Sequence, residues 1–452
     1  MKLARDLKEI KTKINGIMKK TKIVATIGPV SMSKIKLKKM VQAGMNVCRL
    51  NFSHSDHFWH KKAIANIRSV EKTLGKKIGI LADLQGPRIR IDQEKSVVVK
   101  MGEKVFLTSR GENKIGRYRK VIFLDWVHFW QYLKPGDKIF VEDGRIQLEV
   151  MEVLLNGCVT EVVMDGEVKP RKAVNIPAIS KYMKTLTDKD IADLEFAVRQ
   201  KVDMIALSFV ASDSDLKLLR RLIKYYVENK KIKWTRKGGY GQLTRGKAEG
   251  VTGGYFPWII SKIERAEAIK NLNKILKLSD GVMIARGDLA IEMPQEKVAL
   301  LELDILRKAR RLRKPTIVAT QMLASMEEEN RPTRAEIADV TGAVINHTDA
   351  VMLSGETAMG KYPVLTVETM AKIIVATEKS KYNDVFLRKT KFAKLIFGEN
   401  YFKNRKKIKQ KTAKDLKELL RFSSLRQERL RLFLSKRCEN DLGKATLVWG
   451  VE

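Results

Sequence analysis

The chain has 452 residues, 44% of them hydrophobic, and carries 89 Lys and Arg against 52 Asp and Glu, for a formal charge of +37. That length and apolar share exclude a disordered chain or a small disulfide scaffold and allow two or three domains around a substantial core. A pI near 10 suits a polyanionic partner, but the basic residues are spread along the chain and are densest only in Lys8–Lys22 and Lys379–Lys444, so a nucleic-acid partner is not expected.

Cys48, Cys158 and Cys438 are far apart and form no Cys-x-x-Cys pair, which argues against a zinc site and for a reducing compartment. No apolar run reaches the length of a membrane span, and the N-terminus lacks the apolar stretch of a secretory signal. The expectation is a cytoplasmic protein with no membrane partner.

Apolar, β-branched runs alternate with amphipathic helical segments, the pattern of βα units around a parallel sheet. In chain order the runs are Lys22–Gly28, Asn46–Ser53, Ile78–Leu84, Met204–Val210, Trp258–Glu264, Gly281–Ala285, Thr316–Met322 and Asp349–Gly355. Eight such units predict an α/β fold, a (β/α)8 TIM barrel, whose chemistry sits at the C-terminal ends of its strands. The polar residues obey that rule: Arg49, Asn51, Ser53, Asp83, Ser208, Lys262, Glu264, Asp288, Thr320 and Ser354 all come late in, or just past, their run.

Between the third and fourth runs the chain makes an excursion too long for a βα loop, with short alternating segments and turn signals at Pro135-Gly136-Asp137 and Asp143-Gly144. The expected organisation is a first barrel segment over 1–90, an inserted all-β lid domain over 91–175, a second barrel segment over 176–379, and a divergent, basic, mainly helical segment over 380–452. Trp234–Gly254 is glycine-rich and basic without apolar periodicity, as expected of a loop before the fifth strand. Trp126 and Trp130, four apart, are expected in the core of the insertion.

Lys262 and Glu264 sit two residues apart on one predicted strand and so point to the same side. Asp288 lies just past the next strand, in an Arg286-Gly287-Asp288 step that predicts the opening of a short helix. Two carboxylates with no histidine or cysteine nearby suit a hard cation that keeps waters and shares phosphate oxygens, namely Mg²⁺. A buried ion-pair network would use the same residue types.

At this point eight segments, in order, carry a resemblance: Thr21–Pro29, Gly44–His54, Asp83–Arg90, Ile260–Glu264, Ala285–Asp288, Ala319–Leu323, Arg331–Glu336 and Asp349–Ala358 are similar to pyruvate kinases. The resemblance implies transfer of the phosphoryl group of phosphoenolpyruvate to ADP in glycolysis, followed by protonation of the enolate. It implies Glu264 and Asp288 as Mg²⁺ ligands and Lys262 as the cation on the transferring phosphoryl and the enolate oxygen. It further implies Arg49 as the phosphate grip, Ala285, Arg286, Gly287 and Asp288 along the substrate, Thr320 near the protonated carbon, and Arg90 and Lys172 toward the nucleotide.

The family's monovalent-cation site is matched by Asn51, Ser53, Asp83 and Leu84, where Leu84 replaces a threonine and Arg88 replaces a glutamate of K⁺-requiring members. The pattern resembles the K⁺-independent branch, so K⁺ is not expected to be required, with Arg88 supplying the charge; a solvated arginine at the hinge is the plainer alternative. For Lys172 the plainer alternative is a solvated hinge charge.

After Ser380 the alternating strands of the family's C-terminal domain are missing until Ala445–Val451, which puts the family's tetramer in question while leaving a homo-oligomer expected. The alternative function is a catalytically idle barrel whose basic ends dock on a polyanion.

Overall fold

The computed structural model describes residues 19–111, 118–142, 144–180, 182–229, 256–380 and 382. The glycine-rich stretch 234–254, the basic residues 8–18, Cys438 and nearly all of the 380–452 segment, including its expected helical part and Ala445–Val451, lie outside the described residues.

Eight parallel strands form a closed barrel: β1 (Lys22–Thr26), β2 (Val47–Asn51), β3 (Gly79–Asp83), β4 (Met204–Leu207), β5 (Trp258–Ile263), β6 (Gly281–Ala285), β7 (Thr316–Ala319) and β8 (Ala350–Leu353). Each pairs with its sequence neighbours, and β1 closes on β8 through the Lys22↔Ala350 to Ala25↔Leu353 register. Helices α1 (Lys34–Ala43), α2 (His57–Leu74), α3 (Asp188–Arg199), α4 (Asp213–Asn229), α5 (Leu272–Leu278), α6 (Gln295–Arg311), α7 (Arg334–Ile345) and α8 (Pro363–Lys379) follow the strands in turn.

The strands read as continuous apolar runs because both their faces are buried, one inside the barrel and one under the helices. Period-two alternation sorts them. Val24, Val47, Leu81, Met204, Trp258, Ile260, Met283 and Ile317 belong to the core inside the barrel. Ile23, Cys48, Ile80, Ile205, Ile259 and Val282 belong to the core beneath the helices.

The same alternation carries on to the mouth. Continuing the inward rows places Thr26, Arg49, Asp83 and Lys262 at the C-terminal rim, one from each of four strands.

Helix starts are set by short polar caps. Ser33 and Asp56 accept hydrogen bonds from the first turns of α1 and α2, and Thr187 and Thr333 form reciprocal capping boxes with Asp190 and Glu336 at α3 and α7. The β1–β8 seam is tight: the Thr26 hydroxyl donates to the Leu353 carbonyl at 2.8 Å and the Thr357 hydroxyl to the Thr26 carbonyl at 2.9 Å. Gly28 is required there, since a Cβ would stand 2.2 Å from the Ala358 carbonyl oxygen.

Between β3 and α3 the chain builds a seven-stranded sheet in the order Ile89–Arg90, Ala173–Asn175, Lys138–Val141, Ile146–Leu154, Gly157–Met164, Lys104–Ser109, Val121–Leu124, with a separate pair Val97–Val99 and Gly166–Val168. It has its own apolar core around Leu107, Phe129, Ile139, Leu148 and Cys158. Its first strand, Ile89–Arg90, starts just before the expected boundary at residue 91 and pairs antiparallel with Ala173–Val174.

Of the two tryptophans, Trp130 is 1% exposed in the 3-10 turn Phe129–Tyr132, whereas Trp126 is only partly buried against that core. The spacing of four does not give a shared helical face, because the intervening residue His128 takes φ 57° and breaks the turn. Cys48 and Cys158 are buried free thiols, and burial pushes the Cys158 thiol up to about 12.

Candidate active site

The rim residues converge on one ammonium group. Lys262, 6% exposed at the top of β5, places Nζ 2.8 Å from Glu264 Oε1 and 3.4 Å from Asp83 Oδ1, and donates to the Ser208 hydroxyl at 2.8 Å. Ser208 in turn donates to the Leu84 carbonyl at 2.6 Å. Asp83 Oδ2 accepts from Arg49 Nε at 2.6 Å, and Arg49 Nη1 donates to the Thr26 hydroxyl at 3.0 Å. Four strands thus contribute to a single network of alternating charge.

The electrostatics follow from burial and sign. Desolvation alone pulls the Lys262 ammonium down, but Asp83, Glu264 and Asp288 outweigh it and hold its pKa above the ordinary lysine value. For Asp83, burial pushes up while Lys262 and Arg49 pull further down, so the carboxyl stays below the usual range. Glu264 is 0% exposed, and burial raises it, helped by Asp288 and opposed by Lys262 and the Phe209 N–H. For this buried pair we take Lys262 as charged, because three carboxylates surround it.

Glu264 also answers whether a metal fits. Its Oε2 accepts from the Phe209 N–H at 2.7 Å, while the buried Oε1 makes no aligned hydrogen bond and stands 2.8 Å from Lys262 Nζ. An oxygen with spare lone pairs beside a second carboxylate, Asp288, suits a hard divalent cation. Among the described residues no group of three or more His, Cys, Asp or Glu gathers as a full cage. An ion here would keep waters or take ligand oxygens for the rest of its shell, which is the habit of Mg²⁺.

The expected short helix is present as Arg286–Glu292, opening at Ala285. Its first turn is fixed by Thr320, whose hydroxyl accepts from the Gly287 N–H at 2.9 Å and whose carbonyl accepts from Arg286 Nη2 at 2.7 Å. Thr320 holds φ 71° and Gln321 φ 54°, a left-handed pair just past β7 that is costly for a β-branched residue and typical of strained functional turns. The Arg286 guanidinium is committed elsewhere, since both its terminal nitrogens reach Asp339 at 2.6 Å. Arg286 therefore offers the mouth its backbone.

With this geometry in view, comparison with known proteins is specific. A family model described as pyruvate kinase, barrel domain, matches residues 18–237 and 254–367. The chain belongs to the pyruvate kinase family. The gap in the match falls inside the glycine-rich stretch. A pyruvate kinase of Geobacillus stearothermophilus is 40% identical over 376 residues, 82% of this chain and 60% of the relative. One of Thermococcus litoralis is 40% identical over 362 residues, 80% of this chain and 70% of the relative. Pyruvate kinase 2 of Synechocystis is 39% identical over 371 residues, 81% of this chain and 58% of the relative. The chain thus spans about 60% of the length of the first curated pyruvate kinases it matches.

The remaining family-implied positions are more dispersed. Of the positions matching the monovalent-cation site, Asp83 and the Leu84 carbonyl, which takes the Ser208 hydroxyl, belong to the Lys262 network, while Asn51 accepts from the Ser53 N–H at 3.1 Å. Arg88 does not appear on Asp83, whose charge partners are Arg49 and Lys262. Its Nε is buried without a hydrogen bond beside Arg265 and Glu292, while its charge, behind desolvation, helps to depress His54 next to Ser53.

Arg90 donates to the Arg171 carbonyl at 3.0 Å, and Lys172 pairs with Glu142 at 2.5 Å within the inserted sheet. The sequence pattern did not assign roles to Ser208, Phe209 or Thr26. Ser208 already stood among the polar residues late in their runs, and Thr26 was findable by the same signal; Phe209, which acts through its backbone, left none.

Proposed function

We propose that the chain transfers the phosphoryl group of phosphoenolpyruvate to ADP and protonates the enolate left behind, forming pyruvate and ATP in glycolysis. The observation that carries this reading is the Lys262 ammonium, buried among Glu264, Asp83 and Ser208 at the mouth of the barrel. Phosphoryl transfer needs positioning and charge neutralisation more than covalent chemistry, and an enolate needs a fixed cation. Lys262 meets both needs from one place.

Arg49 is steadied through Nε and Nη1, which leaves Nη2 to grip a phosphate oxygen. Glu264 and Asp288 would hold Mg²⁺, which supplies charge neutralisation on the phosphoryl oxygens when bound. The Ala285–Asp288 backbone lines the substrate, and Thr320 holds a hydroxyl where a water-relayed proton reaches the enolate carbon. Arg90 and Lys172, at the two junctions between the barrel and the inserted domain, face the nucleotide.

The proposed organisation is a barrel from 1–90 and 176–379, an inserted domain over 91–175 and a separate segment over 380–452. A cytoplasmic homo-oligomer, with the family's tetramer in question, belongs to the same proposal. No helix among the described residues is long and apolar enough to cross a membrane.

A lactate dehydrogenase-coupled assay with phosphoenolpyruvate, ADP and Mg²⁺ tests the activity. No turnover by well-folded protein would abandon it for the polyanion-binding alternative. We also propose little response to K⁺, because Arg88 brings a fixed positive charge near the β2 end. Strong activation by K⁺ over a choline control refutes that claim alone.

A further inference from the structure

Two of the groups assigned above hang on one dipeptide, Ser208-Phe209. The serine hydroxyl receives Lys262 Nζ at 2.8 Å, and the Phe209 N–H holds Glu264 Oε2 at 2.7 Å. Phe209 does this from a left-handed backbone, φ 54°, uncommon for a bulky residue and held only where neighbours demand it. Gly86 shapes one side of the turn, since a Cβ there would lie 2.8 Å from the Phe209 ring and 2.9 Å from Ser208 Cβ. On the other side the Phe209 carbonyl accepts from Arg265 Nη1 at 3.2 Å.

Arg265 is an unusual choice for a structural clasp. It is 1% exposed, yet Nε and Nη2 have no hydrogen bond, and the carboxylate facing Nε, Glu267 Oε2, stands 3.6 Å away. Burying a guanidinium with most of its donors unused works against folding, and an apolar side chain of the same size would relieve that strain. Arg265 also lines a cavity of about 30 Å³ together with Arg88, Asn175 and Glu292, room for a water or two.

We infer that Arg265 is a positioning residue for Glu264 and Lys262, acting through the Phe209 carbonyl. This rests on the reading of Glu264 as a Mg²⁺ ligand. Without the guanidinium the Ser208-Phe209 turn relaxes toward negative φ, the Phe209 N–H leaves Glu264 and the serine hydroxyl leaves Lys262. Partners that orient a metal ligand change metal affinity or activity by about 10–100-fold when removed.

The test is Mn²⁺ binding by the full chain, measured calorimetrically with Mn²⁺ as the probe, for the native protein, Arg265→Met and Arg265→Lys. Arg265→Met is expected to weaken Mn²⁺ about tenfold or more and to lower kcat by a similar factor, with KM for ADP nearly unchanged. Arg265→Lys, which keeps a cation within reach of the carbonyl, is expected to fall between the two. Native Mn²⁺ affinity and native kcat in folded Arg265→Met overturn the inference while leaving the metal site intact.

Should Arg265→Met fail to fold, Arg265→Lys decides, with native values overturning the inference and a partial loss supporting it. A native chain that binds no Mn²⁺ removes the metal-ligand reading of Glu264, and this inference with it. Arg199→Gln, an exposed charge on α3 paired with Glu195, serves as the control expected to change nothing.

Discussion

Lys262→Met is the sharpest perturbation of the site. At an effective dielectric of about 20, contacts of 2.8 and 3.4 Å give gross attractions of about 6 kcal/mol to Glu264 and about 5 kcal/mol to Asp83. Desolvation of the buried ions offsets much of this, so breaking the cluster should cost about 3–5 kcal/mol of stability. The loss is unequal: Asp83 keeps Arg49 at 2.6 Å, whereas Glu264 keeps only the Phe209 N–H and will tend to take up a proton.

For catalysis, removing a preorganised cation from developing charge costs about 10²–10³ in kcat, and up to about 10⁵ where it faces a transferring phosphoryl group. We therefore expect kcat to fall at least 10³-fold in the lactate dehydrogenase-coupled assay, about the midpoint of these ranges, with KM for phosphoenolpyruvate moving much less. Melting and circular dichroism on the same sample separate this from unfolding. A folded Lys262→Met enzyme within tenfold of native turnover would refute the reasoning.

Thr320→Ala removes both the hydroxyl proposed for proton relay and the acceptor of the Gly287 N–H, so kcat should drop by about 10² with a changed solvent isotope effect, while Thr320→Ser stays near native. Gly86→Ala forces a Cβ against Ser208 and Phe209 at a position with φ 70°; urea unfolding should lose about 1–3 kcal/mol and turnover should fall at least tenfold. His60, 1% exposed and stacked on Phe52 at 4.1 Å, has its pKa lowered to about 4 by burial. Between pH 4 and 6.5 the unfolded chain therefore binds a proton that the folded chain refuses, and stability should fall on acidification through that window by roughly 3 kcal/mol. His60→Phe, compared with native by urea unfolding at pH 7 and 4.5, should flatten this slope; an unchanged slope would assign it to other groups.

The barrel was legible because parallel strands buried on both faces leave continuous apolar runs, and because the charged residues within those strands, Lys22 apart, gather at the C-terminal rim. Lys262 and Glu264 on one side of β5 followed from the two-residue period alone. Contacts between distant segments did not follow. Asp83, implied by resemblance as a monovalent-cation ligand, is the shared partner of Arg49 and Lys262, a fact that depends on three strands closing into one ring. Arg286, implied at the substrate, is claimed by Asp339 from α7. The left-handed turns at Phe209 and Thr320 were hidden because neither position carries the glycine or asparagine that advertises such a conformation.

The strands Ile89–Arg90 and Ala173–Val174, which open and close the inserted sheet, are hydrogen-bonded to each other. Partners in an antiparallel pair stand only about 5 Å apart, so the host ring meets a whole extra domain as though it were the gap of a hairpin. Closing that gap imposes almost no additional chain entropy on the barrel, however much sequence is threaded through it. As long as that pair is kept, the length of chain beyond it bears little on the wall that carries Asp83.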